Sequence, residues 1–218
     1  MHYTRVKICG ITRPEDALHA ANEGVDAIGL VFYNKSPRLV SSEQAAEICN
    51  ALPAFVTSVA LFKDADADSI QQVLDQVQID LLQFHGSESA ECCRQFGKPY
   101  IKALGMEGET NHQVGVSRMA EDYYDARGLL LDSHAPGAAG GTGESFDWTT
   151  IPKDLIQPVI LAGGLDVENV TEAIRTVKPF AVDVRSGVES GKGIKDAGMV
   201  TAFMNQVRKV NGELNGNN

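Results

Sequence analysis

The sequence predicts an α/β fold in which eight parallel strands close into a barrel with helices on the outside. Three observations lead there. Short apolar runs alternate with amphipathic stretches along all 218 residues, about 27 residues per unit for an eight-fold repeat. Several of the apolar runs carry polar residues at every second position, which a strand buried between two helix layers does not do. No Pro-, Gly- or Ser-rich linker divides the chain. An open doubly wound sheet is the other closure the alternation permits. The count of eight and the inward polar positions favour the barrel, whose polar groups gather inside near one mouth.

Taken in order, the first strand is 5–9, with Lys7 and Cys9 on one face and Val6 and Ile8 on the other. Thr12 precedes Arg13-Pro14-Glu15 and is expected to cap a helix over 15–23, with proline in its first turn. The second strand, 27–32, leads to a helix over 42–52, opened by Ser41 and Ser42 ahead of Glu43. The third, 56–62, leads to a helix over 68–76. In the fourth, 81–84, Gln83 and His85 share the face opposite Leu82 and Phe84, so Phe84 is expected against the helices. Ser87 is expected to cap the helix over 88–96 that follows. The fifth strand, 100–103, precedes a helix over 111–125. The sixth, 128–132, sets Leu130 and Asp132 opposite Leu129 and Leu131. After Asp132 the pattern breaks. A long Gly- and Ala-rich connection, 133–147, contains Gly140-Gly141-Thr142-Gly143 and reads as a lid or binding loop, with a short helix at most near 148–154. The seventh strand, 158–161, is followed by a helix over 166–176. The eighth, 180–184, sets Asp183 and Arg185 opposite Val182 and Val184, and a helix over 196–209 ends the pattern. Residues 1–210 are thus expected to form one catalytic barrel, and 211–218 a disordered tail.

Composition narrows the function. Lys and Arg number 19 and Asp and Glu 29, a net charge of −10, which argues against a broad nucleic-acid surface. An anionic small molecule remains compatible, since a few cations or a helix N-terminus act locally. No apolar run of about 18 residues is present, so no spanning helix and no membrane partner are expected, and residues 1–10 have no signal-peptide core. Cys9, Cys49, Cys92 and Cys93 form no CxxC pair, which suits a reduced, cytoplasmic enzyme and gives no zinc spacing. The expected helix faces carry no second apolar stripe, which favours a monomer over a homodimer.

In a parallel barrel the active site lies where the C-terminal strand ends meet their loops. Cys9, His85, Asp132 and Arg185 stand there, with Arg38 just past the second strand. Gly163-Gly164 and Ser186-Gly187 follow strands seven and eight, where barrels often hold a phosphate on backbone N–H groups; two ordinary glycine turns would look the same. A lone cysteine is most often a small buried hydrophobe. As a base it must be a thiolate, and Lys7, two residues back on the same face, favours that unless Asp183 on the closing strand pairs with it. Asp132 is either a turn-forming residue or a general acid, and the latter requires a raised pKa. His85 reads as a hydrogen-bonded structural histidine. Pro37 stiffens the approach to Arg38, whose guanidinium suits a carboxylate or phosphate.

The motifs Lys7-Ile8-Cys9-Gly10-Ile11-Thr12, Ser36-Pro37-Arg38, Leu82-Gln83-Phe84-His85-Gly86, Leu131-Asp132, Gly140-Gly141-Thr142-Gly143, Phe146-Asp147-Trp148, Leu161-Ala162-Gly163-Gly164-Leu165 and Asp183-Val184-Arg185-Ser186-Gly187-Val188-Glu189 occur in that order. Together they resemble the phosphoribosylanthranilate isomerases of tryptophan biosynthesis over nearly the whole chain. The resemblance implies a single (β/α)8 TIM barrel and an Amadori rearrangement of N-(5-phosphoribosyl)anthranilate, a small phosphorylated substrate, with no cofactor and no metal. It matches Cys9 to the family's general base and Asp132 to its general acid. It matches Arg38 to the arginine that binds the anthranilate part, and the Gly163, Gly164, Ser186 and Gly187 backbones to the phosphate site. Arg185 departs from the pattern, since relatives often carry a small polar residue there. By alternation it faces inward, where it could add a cation toward the substrate.

Three rivals are weaker. The histidine-pathway ProFAR isomerase performs the same chemistry but uses an aspartate at the position of Cys9. A metal-dependent pentose-phosphate epimerase needs a His and acidic ligand set that the strand ends do not supply. A phosphate-binding barrel without catalysis would not need both Cys9 and Asp132.

Overall fold

Eight parallel strands pair in chain order, and the first closes on the last. The computed structural model describes residues 3–106, 112–133 and 146–216. Along the chain run β1 (Arg5–Cys9), α1 (Pro14–Asn22), β2 (Ala27–Val31), α2 (Ser42–Ala51), β3 (Thr57–Phe62), α3 (Ala67–Gln76), β4 (Leu81–Phe84), α4 (Ala90–Arg94), β5 (Tyr100–Gly105), α5 (His112–Asp122) and β6 (Leu129–Asp132). A 3-10 turn (Trp148–Thr150), β7 (Val159–Leu161), α6 (Val170–Val177), β8 (Ala181–Val184), β9 (Glu189–Gly191), β10 (Ile194–Lys195) and α7 (Ala197–Gly216) complete it. Closure is set by β1 against β8, with Arg5 beside Ala181, Val6 beside Val182 and Lys7 beside Asp183.

Period-2 alternation sorts the strand side chains into two layers. Val6, Ile8, Ile28, Leu30, Leu82, Leu129, Leu131, Val182 and Val184 point outward into the main core, packed with Ala17, Ile48, Ile70 and Phe203. Phe84 is fully buried in this layer against the rings of Phe96 and Tyr100, as the alternation requires. Ile101, Ala103, Leu130, Ile160, Ala162 and Ala181 fill the barrel interior. The polar side chains Lys7, Gln83, Asp132 and Asp183 are buried too.

Several local readings need correction. Thr12 does not cap α1; Arg13 occupies the cap position without a side-chain capping bond, and the Thr12 hydroxyl donates to the carbonyl of Gly193. Ser41 does cap α2, forming a reciprocal capping box with Gln44. The helix expected over 88–96 shrinks to α4, capped by Ser89 rather than Ser87. Glu88 turns inward because its carboxylate accepts from Lys102 Nζ at 2.8 Å and from the backbone N–H groups of Asp64 and Gly86. The expected tail is helical as far as Gly216. Asn211 anchors it, accepting from the Thr4 N–H at 2.9 Å and donating to the Thr4 carbonyl at 3.1 Å, while Val210 is fully buried. Hairpin β9–β10 was not anticipated, because its strands are two and three residues long and largely polar. The large exposed apolar side chains Phe55 and Ile156 precede β3 and β7, at the barrel end opposite the strand C-termini. Most of the connection 133–147, including Gly140 to Gly143, lies outside the described residues. Among the described residues no helix is long and apolar enough to cross a membrane.

Candidate active site

The inward face of β1 starts the site. Lys7 Nζ donates to Asp183 Oδ1 at 2.8 Å, and both side chains are buried. The pairing follows from alternation and closure, which place Lys7 and Asp183 directly opposite each other on β1 and β8. Burial would push the Lys7 ammonium down, but Asp183 and then Cys9 outweigh it and hold it above the ordinary lysine range. Lys7 is therefore a fixed cation whose charge Asp183 largely balances. Cys9 is buried one pleat further along, beside Gly29 of β2. A Cβ on Gly29 would lie 2.9 Å from Cys9 Sγ and 3.0 Å from Lys7 Nζ. Gly29 thus makes the space in which thiol and ammonium sit. Sequence reasoning passed over it, since its role appears only from the strand register.

Asp132 ends β6, which is separated from β1 by β7 and β8. Asp132 and Cys9 nevertheless line one cavity at the mouth, together with Gln83, His85, Asp183 and Arg185. His85 Nε2 lies 3.5 Å from Asp132 Oδ2, and Gln83 Nε2 lies 3.0 Å from His85 Nδ1. The Gln83 amide and the Asp132 carboxyl thus approach the two ring nitrogens from opposite sides. The hydrogen bond expected of His85 is present, and its ring also stands beside the candidate acid. The signal was available, since alternation put His85 on the inward face with Gln83.

The loops after β7 and β8 form the other wall. Gly163 and Gly164 have φ of 84° and 63°, left-handed conformations that favour glycine. The two loops are tied by a parallel bridge between Asp166 and Gly187, and a Cβ on Gly187 would run into the Leu165 carbonyl. Asn169, ahead of α6, donates to the Gly164 carbonyl at 2.7 Å. Gly163, Gly164 and Ser186 line the cavity, and their N–H groups are not spent on other described backbone carbonyls. Such a concentration of N–H groups near the start of a helix suits an anion.

Arg38 and Gly187 are not among the residues lining that cavity. The Arg38 guanidinium is engaged by Glu189, with Nε to Oε1 at 2.8 Å and Nη2 to Oε2 at 2.7 Å. Its stem crosses Gly10, where a Cβ would lie 2.6 Å from Arg38 Cδ and 3.5 Å from Arg185 Cγ. Both arginines therefore flank the end of β1, and Arg185 lines the mouth. Lys195 Nζ donates to Glu189 Oε1, Cys9 O and Arg185 O at 2.9, 2.7 and 3.0 Å. Sequence reasoning gave Glu189 no role beyond closing the last motif and did not single out Lys195, since their partners are set by the fold. Among the described residues no three His, Cys, Asp or Glu side chains are grouped to hold a metal ion.

A buried thiol and a carboxyl that share one cavity, with two loops suited to an anion alongside, fit the class of barrel enzymes that act on small phosphorylated molecules. The comparisons narrow the class. The family model described as N-(5'phosphoribosyl)anthranilate (PRA) isomerase matches residues 6–206. The N-(5'-phosphoribosyl)anthranilate isomerase of Azotobacter vinelandii is 54% identical over 209 residues, covering 95% of this chain and 99% of that one. The crystal structure of phosphoribosyl anthranilate isomerase from Thermotoga maritima superposes with a TM-score of 0.84 at 40% identity, over 94% of this chain and 99% of that one. Monomers generated from the dimeric isomerase of that organism give 0.79 at 37% identity, over the same shares. The chain belongs to the N-(5'-phosphoribosyl)anthranilate isomerase family.

Proposed function

We propose that this chain isomerises N-(5-phosphoribosyl)anthranilate to 1-(2-carboxyphenylamino)-1-deoxyribulose 5-phosphate, with Asp132 as general acid and Cys9 as general base. The observation that carries this reading is that both groups line one cavity although their strands are not neighbours. A sugar lying between them meets the acid on one side and the base on the other. Asp132 gives its proton to the furanose ring oxygen, and the C1–O bond breaks as the nitrogen lone pair forms a Schiff base. The Cys9 thiolate removes the proton from C2, and those electrons neutralise the iminium to give an enolamine. Tautomerisation to the C2 ketone, with a proton added at C1, completes the rearrangement. Each proton transfer typically contributes 10²–10⁴-fold.

The backbones of Gly163, Gly164, Ser186 and Gly187 hold the phosphate, and Arg38 takes the anthranilate carboxylate. Arg185 supplies a second cation at the mouth. The phosphate grip contributes several of the roughly 7–11 kcal/mol that pre-orientation can supply. His85 orients Asp132 through Oδ2. We further propose that residues 1–210 form one catalytic domain, extended here by the last turns of α7, and that the enzyme is a cytoplasmic monomer. Sedimentation at micromolar concentration tests the last point, with a dimer mass as the contrary result. Turnover tests the activity itself. Purified chain is mixed with the substrate and the loss of substrate fluorescence is followed. A chain that binds phosphate yet leaves the fluorescence unchanged is a non-catalytic phosphate-binding barrel.

A further inference from the structure

Hairpin β9–β10 lies beyond the eight-strand barrel, yet the charged side chains of its two strands, Glu189 and Lys195, are among the least exposed in the molecule. The Glu189 side chain is 5% exposed and that of Lys195 2%. Burying charges is costly unless every one is paired and hydrogen-bonded. Here the accounting closes. The Glu189 carboxylate takes both prongs of the Arg38 guanidinium, in the planar fork that fixes an arginine most firmly. An ammonium has three donors, and those of Lys195 meet three acceptors: Glu189 Oε1 and the carbonyls of Cys9 and Arg185. Burial would raise the Glu189 carboxyl, but Arg38 and Lys195 outweigh it and hold it below the usual carboxylate range. At Lys195 burial outweighs Glu189 and holds the ammonium below the ordinary lysine range; with both cations charged, Arg38, Lys195 and Glu189 together carry a net positive charge at the end of β1, inside a chain whose total is −10.

We propose that Glu189 and Lys195 are positioning residues of the substrate site. Glu189 fixes the direction of the Arg38 guanidinium, and Lys195 ties that pair to the backbone at Cys9 and Arg185 and keeps the cluster cationic. The proposal rests on the reading of Arg38 as the carboxylate-binding residue. It makes the hairpin part of the recognition apparatus for the carboxyphenyl end of the substrate, as distinct from the glycine loops that take the phosphate. Because Lys195 holds the carbonyl of Cys9 itself, its loss reaches the base as well as the arginine.

The test measures binding of two ligands and steady-state turnover. One ligand is the reduced form of the open-chain product, which carries both carboxylate and phosphate. The other is inorganic phosphate. Glu189→Gln is expected to raise Kd for the reduced product about tenfold, the scale of freeing one rotamer-rich side chain, with phosphate Kd within about twofold of wild type. KM should rise while kcat changes by less than about threefold. Lys195→Met is expected to raise KM and also to lower kcat. A merely structural hairpin would weaken both ligands equally. Equal losses, or a reduced-product Kd within about twofold of wild type, overturn the proposal. If Glu189→Gln gives no folded protein by circular dichroism, Glu189→Asp is judged by the same two constants, since it keeps the charge and shortens the arm. Arg38→Met distinguishes the two levels. Unchanged reduced-product binding in that variant removes the reading of Arg38 itself, whereas weakened binding there with Glu189→Gln unaffected removes the hairpin's role alone.

Discussion

Gly29→Ala perturbs the catalytic face of β1 without replacing any group that reacts. The new methyl would lie 2.9 Å from Cys9 Sγ, 3.0 Å from Lys7 Nζ and 3.1 Å from Cys9 Cα. Optimal carbon contacts lie near 3.5–4.0 Å, so the neighbours must retreat by about 0.5–1 Å. Lys7 is held by Asp183 at 2.8 Å and the backbone of β1 is held in the barrel by both neighbouring strands. The sulfur therefore absorbs much of the displacement. Overpacking of this kind costs about 1–3 kcal/mol, which lowers Tm by roughly 2–12 °C in a domain of this size. A misplacement of about 1 Å in a reacting group can cost 10²-fold in rate, so kcat is predicted to fall by about 10- to 100-fold. The assay is fluorescence-monitored turnover alongside thermal unfolding. Gly212→Ala is the control, since a Cβ there meets nothing within 4 Å on α7 and helix propensity makes it neutral or slightly stabilising. Wild-type kcat in Gly29→Ala, with only Tm reduced, would refute the reasoning that this glycine sets the position of the thiol.

Three further predictions follow from the same geometry. Burial pushes the Cys49 thiol up to about 11 and that of Cys93 to about 12, so their thiolate fractions at pH 8 are about 10⁻³ and 10⁻⁴. That leaves Cys9 and Cys92 as the thiols open to alkylation, and iodoacetamide is predicted to inactivate through Cys9 because it lines the cavity, with protection by phosphate or product; inactive protein labelled at Cys49, Cys92 or Cys93 alone would oppose this. Glu189 titrates below its unfolded value of about 4.3, so its contribution to stability is complete above that value and is lost as pH falls through the folded pKa. Urea unfolding at pH 6 and pH 3.5 should show a smaller acid loss in Glu189→Gln than in wild type; identical losses would contradict the sign. Asn211→Ala removes both hydrogen bonds to the Thr4 backbone and should cost about 1–3 kcal/mol, so an unchanged urea midpoint would mean that the last turns of α7 contribute nothing.

The barrel strands were legible because several carry one outward apolar face and one mixed inward face. Val6 and Ile8 against Lys7 and Cys9 suffice to orient β1. Strand limits moved by at most one residue except at β5, which runs two residues further, to Gly105. The Lys7–Asp183 pair was also legible, because alternation and closure together leave those two groups facing each other. What sequence could not show was set by tertiary burial. Glu189 and Lys195 look solvated until the hairpin folds back over the end of β1. Glu88 reads as a helix residue until Lys102 claims its carboxylate, and Asn211 reads as tail until Thr4 is placed beside it. Arg38 was found by its motif, but its engagement by Glu189 was not foreseen, since 151 residues separate them.

The division of labour between thiol and carboxyl is tested most directly by kcat for the isomerisation in Cys9→Ala and in Asp132→Ala, with reduced-product Kd confirming that each variant still binds. A loss of at least about 10²–10⁴-fold in each is predicted, as expected for removing a proton-transfer group. Turnover that persists near the wild-type rate in both variants would contradict the account.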